Sequence, residues 1–76
     1  MLRLHASLDA RREPAFHSLL RELDGVRRVV RQPDESREAG QTVFVADVEP
    51  AAADELVEAI IEMGISVDDY LLTRVE

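Results

Sequence analysis

Residues 42–65 read TVFVADVEPAAADELVEAIIEMGI, and this stretch decides the fold. Its first seven residues alternate, with Val43, Val45 and Asp47 on one side and Phe44, Ala46 and Val48 on the other. Period two is the signature of a strand, and apolar residues on both sides predict a central one. Pro50 then opens a helix, because a proline in the first turn loses no hydrogen bond. Ala53, Leu56, Val57, Ile60 and Ile61 form its apolar stripe, while Asp54, Glu55, Glu58 and Glu62 face away. Gly64 supplies the left-handed stop, and Ile65 folds back as the trailing apolar contact.

The chain on either side repeats the theme. Residues 1–8 alternate Leu2, Leu4, Ala6 and Leu8 with Arg3, His5 and Ser7, which predicts a half-buried strand. Asp9 to Glu13 is a polar turn. A helix follows, starting between Arg11 and Pro14 and ending near Asp24, with Phe16, Leu19, Leu20 and Leu23 as its stripe and Gly25 as its stop. Val26 to Arg31 alternates poorly and carries three arginines, which suits an edge strand, since charge there deters edge-to-edge pairing. Gln32 to Gln41, with Pro33 and Gly40, reads as a loop, and Asp69 to Val75 as a last strand. The order is β-α-β-β-α-β. The fold class is therefore α+β: a ferredoxin-like two-layer sandwich of a four-stranded antiparallel sheet and two helices on one face, as a single domain over residues 1–76. The first and third strands should be central.

A domain of 76 residues buries only about 60% of its unfolded surface. That leaves no room for an enclosed substrate cavity. The absence of cysteine excludes disulfides and thiolate metal sites. A net charge of −7 argues against a nucleic-acid surface, which needs clustered basic residues. The charge is uneven: residues 1–40 hold eight arginines against seven acids, and residues 41–76 hold one against nine. This asymmetry reads as salt bridging between the helices, with orientation of identical copies as the alternative.

Catalysis requires convergent groups within reach of one another. His5 and Asp47 come together if the third strand pairs with the first, but no nucleophile or third ligand accompanies them; they read as a solvated polar pair. His17 flanks the first helix stripe and reads as a surface residue, and Met63 reads as core edge. No glycine-rich phosphate loop or calcium-loop pattern occurs. Phe16, Phe44 and Tyr70 do not make a base-stacking platform, since the first lies in a helix. No catalytic residue, metal ligand or cofactor is read. What remains is the sheet face away from the helices. Whichever side of the third strand is covered, the other shows either Val43 and Val45 or Phe44, Ala46 and Val48. Val43 and Val45, joined by neighbouring Tyr70 and Leu72, are the candidate interaction face, because a bare apolar patch on a small domain marks a contact surface.

Several segments also carry a family likeness: Met1-Leu2-Arg3-Leu4, Leu19-Leu20, Asp24-Gly25-Val26, Val45-Ala46-Asp47-Val48, Ala52-Ala53-Asp54-Glu55-Leu56 and Met63-Gly64-Ile65, with an acidic turn before Tyr70. The chain resembles the N-terminal region of the prokaryotic "hydrophobic domain protein" family, membrane proteins whose reaction is unassigned. The resemblance implies a ferredoxin-like domain at the cytoplasmic face of a membrane, excised from a longer chain whose transmembrane helices follow, and soluble in isolation. It brings no functional residues with it. Other users of the fold match poorly: metal carriers place Cys-x-x-Cys where this chain has Asp9-Ala10-Arg11-Arg12, and acylphosphatases need a phosphate cradle. The expectation is a non-catalytic assembly or regulatory domain whose partner is a second copy or its own transmembrane domain. The alternative is an ACT-like sensor holding a small-molecule ligand at a subunit interface, although the glycine usual near the first helix of such domains is missing.

Overall fold

The computed structural model describes residues 1–33 and 41–75. Four strands, β1 (Leu2–Leu8), β2 (Val26–Pro33), β3 (Thr42–Val48) and β4 (Tyr70–Arg74), form one antiparallel sheet in the order β2-β3-β1-β4. Two helices, α1 (Glu13–Glu22) and α2 (Ala53–Glu62), complete the expected βαββαβ sandwich, with β1 and β3 at its centre.

The core lies between the sheet and the helices. Leu4, Ala6 and Leu8 of β1 and Phe44, Ala46 and Val48 of β3 are buried, and they meet Phe16 and Leu20 of α1 and Leu56 and Ile60 of α2. Phe16 and Phe44 pack edge to face with ring centroids 5.3 Å apart, the arrangement favoured by opposed ring quadrupoles. This settles the choice the sequence left open for β3: Phe44, Ala46 and Val48 face the helices.

Several boundaries move. α1 ends at Glu22 rather than near Asp24, because Leu23 already has extended backbone. Gly25 is left-handed, at φ 89°, but it shapes the turn into β2: its carbonyl accepts from the Glu49 N–H at 2.8 Å. Gly64, in contrast, closes α2 directly. Its N–H donates to the Ile61 carbonyl and the Ile65 N–H to that of Ile60, the paired bonds of a Schellman motif. Pro50–Ala52 form a 3₁₀ turn before the α-helix starts at Ala53. Ile61, expected in the stripe, is 60% exposed; the stripe is centred on Leu56 and Ile60, and Ile61 stands about 100° round from Ile60. Val67–Asp69 form a second 3₁₀ turn, so β4 begins at Tyr70; Ser66 Oγ accepts from the Asp68 N–H there. β2 runs to Pro33, two residues past the expected end; the predicted loop otherwise falls mostly outside the described residues.

Candidate functional site: the open face of the sheet

Residues directly opposite on antiparallel strands point to the same side. The register therefore assigns each strand residue to the helices or to the open face. His5 pairs with Val45 on one side and Leu71 on the other, and Val45 pairs with Val30. These four make one row across the sheet: Leu71, His5, Val45, Val30. The next row is Thr73, Arg3, Asp47 and Arg27, and on the other side Ser7, Val43 and Gln32 make a third.

Val43 and Val45 lie on this open face, both partly buried by their neighbours. Tyr70 and Leu72 do not, which corrects the expectation. They pair with Ala6 and Leu4, residues that face the helices, and they pack against the core. Leu71 takes their place, 58% exposed. Both parities of Tyr-Leu-Leu-Thr look acceptable in sequence; only the pairing with β1 decides between them.

Val30, 52% exposed, is the other apolar residue that sequence reasoning missed. Simple alternation from Val26 would put Val30 with the core. Instead β2 carries an extra residue between Arg27 and Val30, where Arg28 and Val29 together oppose Ala46. Arg28 sits at φ 55°, as the first residue of such a bulge does when it takes the left-handed conformation. The bulge turns Val29 toward the core and Val30 outward. The irregular Val-Arg-Arg-Val-Val pattern is thus a bulged edge, a device that also discourages pairing with another sheet.

The polar end of the face is organised by Asp47, whose side chain is only 15% exposed. Arg3 Nε donates to Asp47 Oδ1 at 3.3 Å, and Arg28 Nε lies 3.8 Å from Oδ2. The nearness of His5 and Asp47 considered from sequence takes a different form: β1 and β3 do pair, but Asp47 stands opposite Arg3 and His5 opposite Val45. At the edge, Arg27 pairs with Glu49 at 3.1 Å.

Elsewhere the charge asymmetry is spent on joining elements. Glu13, at the start of α1, is bonded by the Arg31 guanidinium and by the Thr42 hydroxyl, which donates at 3.2 Å. Arg12 donates to the Gly64 carbonyl at 3.2 Å, placing a cation at the negative end of α2. Among the described residues these contacts stand where the sequence reads as helix-to-helix salt bridging. His17 lies beside the Phe44 ring, with centroids 6.1 Å apart. Between α1 and α2 a shallow groove floored by Leu19, Ala59 and Met63 is rimmed by Glu22 and Glu62. Among the described residues no group of three or more His, Cys, Asp or Glu side chains is arranged to hold a metal ion, and no helix is long and apolar enough to cross a membrane. No protein-family model matches the chain, and neither does any curated protein.

Proposed function

We propose that this chain is a non-catalytic assembly or regulatory domain that works through the open face of its sheet. The observation that carries the reading is the row in which exposed Leu71 and Val30 flank His5 and half-buried Val45, backed by Val43 and bordered by the Arg3–Asp47 pair. Apolar side chains set beside a polar border are the composition of a contact surface. The resemblance to the "hydrophobic domain protein" family supports a setting at the cytoplasmic face of a membrane, attached to a transmembrane domain.

The face is tested by Val45→Glu, with Glu58→Arg on the outer side of α2 as control. Sedimentation should show association lost with the first and kept with the second. Association that survives Val45→Glu overturns the open-face reading. The membrane setting is tested by the coding sequence that follows Glu76. Apolar stretches of about 20 residues are expected, and a stop codon directly after Glu76 overturns that half of the proposal.

A further inference from the structure

The occupant of the open face is written in the register of its charges. We infer that a second copy of this chain stacks on it, sheet against sheet, about a two-fold axis parallel to the strands and lying between β1 and β3. The inference rests on the open face being a contact surface and goes further by naming the partner and the symmetry.

A two-fold axis in that direction exchanges left and right along each row and leaves the rows at the same height. β1 of one copy then lies over β3 of the other, and β4 over β2. In the middle row, Leu71 covers the partner copy's Val30 and His5 covers its Val45. In the polar row, Arg3 faces Asp47 of the second copy and Asp47 faces Arg3, so two within-chain pairs become an alternating square, with Arg28 of each copy beside its own Asp47. Arg27 meets Thr73, so no like charges are opposed in that row.

The other in-plane two-fold, perpendicular to the strands, has the opposite consequence. It lays each strand on its own copy with the rows reversed, so Asp47 is pressed onto Val43 and Arg3 onto Ser7. A carboxylate taken out of water against a valine loses hydration and gains no partner. Stacking through the helices would instead bring the acids Asp54, Glu55, Glu58 and Glu62 of α2 into the interface, where each loses hydration. Sheet-to-sheet stacking keeps these acids on the outside, which eases the repulsion between two chains of net charge −7.

Four strands of five to eight residues make a face roughly 20 by 24 Å. That is at the small end for a specific interface, so association should be weak and concentration-dependent.

The double variant Arg3→Asp/Asp47→Arg tests the symmetry. It keeps an opposite-charge pair between β1 and β3 but sets a like charge beside Arg28, so circular dichroism first checks that the fold is kept. The variant should self-associate as the wild type does. Mixed with labelled wild type it should form few heterodimers, because each of the two introduced charges would then face a like charge on the wild-type chain. Heterodimers formed in the statistical half share overturn the two-fold arrangement while leaving the open face as the contact surface. Wild type that stays monomeric to millimolar concentration overturns the second copy as occupant. Association unaffected by Val45→Glu overturns both this inference and the functional reading beneath it.

Discussion

The two sides of strand β3 share one backbone and nearly the same apolar content, yet they live in different environments. Phe44, Ala46 and Val48 are sealed under two helices, whereas Val43 and Val45 meet no second layer among the described residues. Hydrophobicity along a strand therefore does not by itself separate a side that serves the fold from one left open. What separates them is whether the same molecule supplies a covering layer.

The contrast is tested most severely by changing one residue on each side. Phe44→Ala removes a fully buried ring that packs on Phe16, and the cavity should cost about 3–5 kcal/mol. A domain of this size has a total stability of roughly 4–11 kcal/mol, so thermal melting should show a drop of well over ten degrees or an unfolded chain. Val45→Glu, on the open side, should cost about 1 kcal/mol or less in the same melt while abolishing self-association. A loss as large as that of Phe44→Ala would mean that both sides serve the fold.

Gly25→Ala probes the covering layer through the backbone. The left-handed φ disfavours any Cβ, and a methyl placed there would come within 3.0 Å of the Ala52 Cβ. A loss of about 1–3 kcal/mol is expected in chemical denaturation; an unchanged midpoint would show that the turn relaxes freely.

The smallest effect is expected at the rim of the open side. Arg28 holds a left-handed conformation that glycine adopts without cost, and its side chain is 84% exposed. Its ion pair with Asp47 contributes little in such surroundings. Arg28→Gly should therefore leave the melting temperature unchanged or raise it by a few degrees. A clear fall would show that the arginine side chain, rather than the bulge, steadies this edge.

Much of the fold is legible in the chain. The stripes Phe16–Leu20 and Leu56–Ile60 announce the helices, Gly64 with Ile65 marks the end of one, and the alternation of residues 2–8 gives β1 its buried side directly. The candidate face is legible only in part. Val43 and Val45 belong to it, but Tyr70 and Leu72 exchange roles with Leu71, and Val30 was hidden behind a bulge.

Local periodicity is a property of neighbouring residues, so the chain's own pattern was enough to give the order of elements and the central place of β3. Which side of β3 and β4 faces the helices depended on pairing with distant strands, where a shift of one residue inverts every side chain. That choice, the turn of β2 at Arg28 and the rows that set Arg3 beside Asp47 came from the three-dimensional arrangement. They arise from cross-strand register, which brings together residues more than forty positions apart.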